Sequence, residues 1–325
     1  MRQINRLNHG GIMANYQCNA ACRHCLYACS PDRDSGYITK ESASEICTLL
    51  IEGGCRSVHI GGGEPFLNFD GLINLLEAAR ATSLKIEYVE TNGSFAANES
   101  EAVRYLRELI DVGVDNLCIS LDPFHAEYIP FELPLRLAKI CRENNFGFFL
   151  WQERFLQGLS QVEPDIAHSR KSLEDQISPR YVIETAHRYG LSMGGRAINI
   201  EAEFSELKAT HTLIETKPCR HLTSTEHFHV DMYGSFIPPG CTGIAIPLSE
   251  AVGGMPSGKY MAFEALVTGG VSGLVSFAKK QGFRPNDQYT SRCALCFYTR
   301  KWLSENIDCP ELDKDHYTAS LTYYN

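Results

Sequence analysis

The chain has 325 residues, 44% hydrophobic and 21% charged, with 30 basic against 39 acidic side chains and a formal net charge of −9. That length accommodates one large α/β domain and a smaller one, and the acidic balance argues against binding nucleic acid by neutralising its phosphates. No apolar run approaches the roughly 18 residues of a membrane-spanning helix, and the opening Met1-Arg2-Gln3-Ile4-Asn5-Arg6 lacks the apolar core of a signal peptide, so a cytoplasmic protein with no membrane partner is expected.

From residue 11 to about 200, strand-like and helix-like segments alternate. Strands are expected near Gly11–Tyr16, Ser57–Ile60, Lys85–Thr91, Asn116–Leu121, Gly147–Trp151 and Ala197–Ile200. Helical periodicity fills the intervals at Lys40–Glu52, Phe69–Ala81, Glu99–Val112, Leu133–Glu143 and Pro179–Tyr189. Thr39 is a cap signal for the first helix, with Leu49, Leu50 and Ile51 as its apolar face. Six strands separated by five helices imply a parallel sheet, either open and doubly wound or part of a β/α barrel. Both architectures bind ligands where the carboxyl ends of the strands open into loops. Residues 152–176 read as a polar insertion over that mouth. The rhythm ends near residue 205, which divides a barrel-like domain, 1–205, from a second, smaller domain, 206–325. The stretch 219–300 reads as short-stranded, with Gly253-Gly254 and Gly269-Gly270 as turn signals.

Thirteen cysteines, an odd number in a chain without export signals, point to metal chemistry rather than disulfides. Cys47, Cys55, Cys118 and Cys141 stand singly and read as small buried hydrophobes. Cys18, Cys22 and Cys25 form a C-x3-C-x2-C loop just after the first strand. Three thiolates so spaced can hold one corner of an iron–sulfur cube and leave one iron open. A zinc knuckle, or a four-thiolate electron-transfer cluster completed by Cys29, is the simpler alternative. One βα unit later, Gly61-Gly62-Gly63-Glu64-Pro65 follows the second strand. Adjacent glycines let a ligand approach the backbone, and the carboxylate behind them can receive an ammonium.

Together these two motifs resemble the radical S-adenosylmethionine (SAM) family over most of residues 11–200. The resemblance implies an α/β fold with a partial (β/α)6 barrel. It implies a 4Fe-4S cluster on Cys18, Cys22 and Cys25, whose open iron chelates the amino and carboxylate groups of SAM. The SAM amino group falls to Gly62, Gly63 and Glu64. Ser120, Asp122 and Arg196 stand where the family places further SAM contacts, and Thr91 and Asn92, ending the third strand, could line the same floor; a strand-end turn residue is the alternative for each. The family usually has Tyr or Phe before the third cysteine; here it is His24. Farther on, Cys219, Cys241, Cys293 and Cys296 resemble the abbreviated auxiliary-cluster domain called twitch, a relative of the SPASM domain. That implies a second 4Fe-4S cluster, although a structural zinc has the same ligand count. Cys309 is left over.

On the substrate side, His125 is a candidate general base. Glu153 and Arg154, with Trp151 and Gln152, leave the fifth strand toward the same mouth, and Asp231 and Tyr233 precede the second cysteine of the C-terminal set. His221, His227 and His229 alternate along a strand and read as the polar side of a half-exposed strand rather than a metal site. The expected activity is reductive cleavage of SAM and hydrogen abstraction from a substrate carbon, with a small molecule or peptide as substrate and a flavodoxin or ferredoxin as reductant. A non-catalytic two-cluster electron carrier or metal-binding protein is the competing class.

Overall fold

A computed structural model describes residues 6–214 and 219–322; most of the N-terminal stretch read for a signal peptide lies outside them. The first five strands are β1 (His9–Met13), β2 (Ser57–Gly61), β3 (Lys85–Thr91), β4 (Asn116–Ser120) and β5 (Gly147–Trp151). Helices α1 (Lys40–Glu52), α2 (Phe69–Ala81), α3 (Glu99–Asp111), α4 (Pro123–Ala126) and α5 (Glu132–Glu143) lie between them. Starts are set by side-chain caps. Thr39, Asn68 and Asn98 each accept a hydrogen bond from a backbone N–H three residues on, at 3.1, 2.9 and 3.2 Å, which satisfies donors a helix cannot satisfy itself. The buried face of α1 is Ala43, Ile46, Cys47 and Leu50, a three-and-four spacing. Leu49 and Ile51 only flank it.

The strands align in the order β5-β4-β3-β2-β1, all parallel. Beyond β5 come α6 (Leu156–Leu159), α7 (Arg170–Gln176), α8 (Tyr181–Tyr189) and α9 (Ala197–Phe204). Leu159, Val162 and Leu173 from this polar insertion make a satellite core with Leu121 and Phe131. The expected sixth strand at Ala197–Ile200 is therefore wrong: those residues open α9. They are buried on every side, and a short run buried all round has no alternation to separate strand from helix.

The sixth parallel strand comes from elsewhere. After β6 (Lys208–Ala209) and α10 (Thr210–Leu213), β7 (Glu226–Val230) pairs in parallel with β1. Then β8 (Ser235–Ile237) and β9 (Ile246–Pro247) extend the sheet antiparallel to eight strands. The rest is mostly helical: α11 (Leu248–Gly253), α12 (Met261–Lys280), α13 (Arg292–Asn306) and α14 (Lys314–Thr322), with β10 (Gln288–Tyr289) pairing β6. The short-stranded expectation fails here because Gly269-Gly270, read as a turn, lies inside α12. By length and composition alone α12 is long and apolar enough to cross a membrane, contrary to the expectation from apolar runs. It packs against α13 and breaks at Gly270.

At Gly270 the backbone takes φ 60° and ψ −153°, a region open essentially to glycine alone. A Gly270→Ala variant should lose about 1–3 kcal/mol of unfolding free energy, read from the urea midpoint. Unchanged stability would show that the break in α12 relaxes without cost.

Candidate functional site

The carboxyl ends of β1–β5 and the residues before and within β7 surround a cavity of about 510 Å³. Cys18, Cys22 and Cys25 line it, as do Gly62 and Gly63 on the neighbouring loop. Backbone amides point at two of the sulfurs: Ala20 N–H donates to Cys18 Sγ at 3.4 Å and Cys29 N–H to Cys25 Sγ at 3.4 Å. Such N–H···S bonds favour thiolate, the form that ligates metal. The Cys25 thiol is held well below its ordinary range by a hydrogen bond with Cys29 and, against burial, by the Arg196 guanidinium. Cys29 lies at the same wall and points its Sγ at the Gly62 carbonyl, 3.6 Å away. The donor set and its amides thus fit an iron–sulfur corner, with a fourth thiol beside it.

Two staples shape the cysteine loop. Asn15 Nδ2 donates to the Gln17 and Glu64 carbonyls at 3.0 Å each, and its Oδ1 accepts from Gly63 N–H at 3.1 Å. A Cβ at Gly63 would collide with the Gln17 carbonyl, so only glycine lets the two loops close. The second staple is Arg196, buried at the start of α9. Its guanidinium donates to the Cys22 carbonyl at 2.9 Å and the Cys29 carbonyl at 2.6 Å, and its backbone N–H to the Cys25 carbonyl at 3.0 Å.

The other expected residues divide. Ser120 and Asn92 line the cavity. Asn92 Nδ2 donates to Asn19 Oδ1 at 2.7 Å and lies 3.9 Å from Cys18 Sγ. Glu64 sits behind the wall, its carboxylate accepting from Thr91 Oγ1, Asn92 N–H and Phe66 N–H at 2.8, 2.8 and 3.2 Å. Burial still pushes it up to about 7. Asp122 is likewise spent inside: it caps α4 through Phe124 and His125 N–H and holds His125 Nδ1 at 2.7 Å. Burial would raise it, yet His125 and His24 hold it down at about 2. Burial lowers His125 too, but Asp122 and Cys22 outweigh it and lift the imidazole well above its ordinary range. The structure thus places His125 on the cavity wall, its Nδ1 against Asp122 and its ring beside Cys22.

Glu153 and Arg154 do not line the cavity, whereas Trp151 and Gln152 do. Gln152 takes a left-handed φ of 68°, and past that turn Arg154 donates to Gln152 Oε1 at 2.8 Å and the Tyr189 carbonyl at 3.4 Å. Asp231 and Tyr233 face a different cavity. His24 stacks on Phe124 at 4.8 Å between centroids and lies 3.2 Å from the Tyr189 hydroxyl; burial lowers it to about 4. Tyr189, Tyr88 and Glu90 also line the cavity and escaped the sequence reading. Glu90, one residue from the carboxyl end of β3, carried a usable signal; Tyr189, at the end of α8, carried none.

Cys219, Cys241, Cys293 and Cys296 come into one neighbourhood. Cys219 and Cys241 share a hydrogen bond, and Cys293 and Cys296 each feel the charge of Cys219. The bond with Cys241 draws Cys219 down to about 5. Arg300 hydrogen-bonds Cys296 and donates to the Thr242 carbonyl at 2.7 Å. Cys309 stands apart beside Glu311 and Asp308. Cys47, Cys55, Cys118 and Cys141 are buried as expected, Cys118 at the cavity wall. No disulfide joins any cysteine among the described residues.

Residues 14–156 match the model of the Radical SAM superfamily. The chain is 31% identical over 278 residues to a GTP 3',8-cyclase of Brucella ovis, covering 82% of this chain and 64% of that protein. It is 27% identical over 119 residues to the "Putative peptide biosynthesis protein YydG" of Bacillus subtilis, covering 36% of this chain and 37% of that protein. It thus spans less than two thirds of these relatives' own length. Among solved structures, it is similar to anSMEcpe with bound AdoMet, at a TM-score of 0.45 and 15% identity over 98% of this chain and 92% of that one. It is also similar to BtrN in complex with AdoMet and 2-DOIA, at a TM-score of 0.43 and 13% identity over 82% and 89%.

If Arg196 shapes the cysteine loop, Arg196→Met should strand buried carbonyls at about 1–3 kcal/mol each. In the cluster-free protein it should also speed alkylation of Cys22, Cys25 and Cys29, followed by mass spectrometry. Labelling at the wild-type rate would show that the loop keeps its shape without the guanidinium.

Proposed function

With residues 14–156 a radical SAM domain, we propose that the protein is a radical SAM enzyme holding a 4Fe-4S cluster on Cys18, Cys22 and Cys25 and SAM beside it in the cavity. The observation that carries this reading is the convergence of those three thiols and the Gly62-Gly63 backbone on one cavity wall. When bound, cluster and SAM would supply one-electron cleavage of SAM and abstraction of hydrogen from a substrate carbon.

The chain's own residues have three tasks in this scheme. Arg196 and Asn15 hold the cysteine loop in register with the glycine loop. Gly62 and Gly63 leave backbone groups open to a close ligand, and Glu64 fixes that loop to the end of β3 from behind. Asp122 orients the His125 ring through its Nδ1 at 2.7 Å, on the cavity wall that also carries the cysteines. Ser120, Asn92 and Trp151 remain on the wall for SAM or substrate.

The substrate class we propose is a small molecule or a peptide, and the setting a reducing cytoplasm with a flavodoxin- or ferredoxin-type donor. The second cysteine set belongs to residues 206–325, which we read as a twitch-like auxiliary domain with a second 4Fe-4S cluster.

Replacing Cys18, Cys22 and Cys25 together by Ala should remove about four irons per chain and abolish formation of 5′-deoxyadenosine from SAM under dithionite. Residual 5′-deoxyadenosine would sink the assignment. Titrating wild type with SAM separates the competing class, because a cluster closed by Cys29 as a fourth thiolate gives no spectral response.

The auxiliary site makes a separate expectation. Reconstituted wild type should hold about eight irons, and a Cys293→Ala, Cys296→Ala variant about half, by colorimetric iron analysis. Four irons with one sulfur-ligated zinc in wild type would replace the second cluster by a structural zinc.

A further inference from the structure

Three adjacent strands bring together histidines that lie far apart in sequence. In the sheet, Gly11 of β1 pairs on one side with His59 of β2 and on the other with His229 of β7. Gly11 has no side chain, and a Cβ there would strike the His59 ring and come within 2.8 Å of His229 Cδ2. Across that gap the two imidazoles meet over β1, Nε2 to Nε2 at 2.9 Å. His227 arrives through an irregularity in the β1–β7 register at His9/Gly10, with a left-handed φ of 65°. Positive φ is uncommon outside glycine, and histidine is one of the residues that adopt it more readily. Its ring stacks on His59 at 5.2 Å and stands edge-on to His229 at 5.3 Å.

One ring nitrogen from each of the three lies within 4.8 Å of the other two. Tetrahedral donors about 2.0–2.1 Å from a shared zinc stand roughly 3.4 Å apart, which this cluster reaches with small ring rotations. A carboxylate is at hand, since Glu90 Oε1 lies 3.8 Å from His59 Nε2. His227, His229 and Glu90 line the cavity, while His59 is buried behind them.

We propose that His59, His227 and His229 bind a divalent transition-metal ion, zinc fitting best, with Glu90 beside it and one coordination position open to the cavity. Three imidazoles with an open fourth position are the ligand pattern of a catalytic rather than a structural zinc site. A substrate oxygen or nitrogen, or a water, can enter there. Burial drives the three imidazoles below their ordinary range, His59 to about 3, so they offer lone pairs rather than positive charge at neutral pH. The hydrogen bond between His59 and His229 alone does not account for His227, whose ring is brought against both by the register irregularity.

The experiment is zinc binding by the full-length protein with its iron in place. Protein stripped with a mild chelator is titrated with zinc sulfate, desalted and analysed for zinc and iron by mass spectrometry, and X-ray absorption is recorded at the zinc edge. One zinc per chain with nitrogen and oxygen ligands at about 2.0–2.1 Å is expected. The exposed-residue variant His227→Ala and the isosteric His229→Gln should each weaken it at least about 100-fold, with iron content and circular dichroism unchanged. Absence of bound zinc, sulfur ligands at about 2.3 Å, or wild-type affinity in His227→Ala overturns the proposal. Because iron is counted separately, none of these outcomes depends on the cysteine assignments.

Discussion

A buried guanidinium sets the geometry from which the rest of the site follows. Arg196 reaches from the start of α9 into the loop after β1 and grips two carbonyls that flank the cysteines, while its amide holds a third. Charge-assisted bonds of this kind are short and directional, and in a dry environment they tolerate little displacement. Gly195 makes the approach possible, because a side chain there would press into the Cys25 and Leu26 carbonyls. A loop that would otherwise be a flexible excursion of some two dozen residues is thereby fixed against the sheet, and the cysteine sulfurs, the glycine loop and His125 share one wall.

The parts of this arrangement that were readable from sequence are the locally determined ones. Strand β3 and helices α1 and α2 follow alternation, three-and-four spacing and caps at Thr39 and Asn68, all within a dozen residues. The cysteine triplet and glycine run were legible because their spacing is itself the chemistry. What stayed hidden was decided by distant partners. Ala197–Ile200 is buried on all sides and so carried no alternation to mark it as helix rather than strand, and the three carbonyls that Arg196 holds belong to a loop far away in sequence. Glu64 and Asp122 read as ligand contacts by position, and their structural bonds were not legible: Glu64 accepts from Phe66 and Asn92 N–H and Thr91 Oγ1, and Asp122 from Phe124 and His125 N–H, with the His125 ring at its other oxygen. A carboxylate just past a strand end serves a turn or a ligand equally well in one dimension.

The cavity also joins the two parts of the chain that the sequence separates near residue 205. Its floor comes from β1–β5, but His221, His227, His229, Pro239 and Gly240 complete the wall from the other side. Because β7 is hydrogen-bonded to β1 along its length, whatever binds in the cavity touches both parts at fixed separation.

That pairing has a bearing on how the molecule is made. The strand beside β1 on one side follows within about fifty residues, but its neighbour on the other side is β7, encoded some 200 residues later. At roughly 5–20 residues per second on the ribosome, the β1 edge waits on the order of 10–40 s before its partner exists. Pairings of such long sequence separation form slowly even in a finished chain. Through that interval the nascent protein carries an unsatisfied sheet edge with the cysteine loop beside it, open to solvent and to other chains. Newly made protein is therefore most exposed to aggregation and thiol oxidation before β7 emerges, and a truncation ahead of residue 226 would leave that edge open permanently.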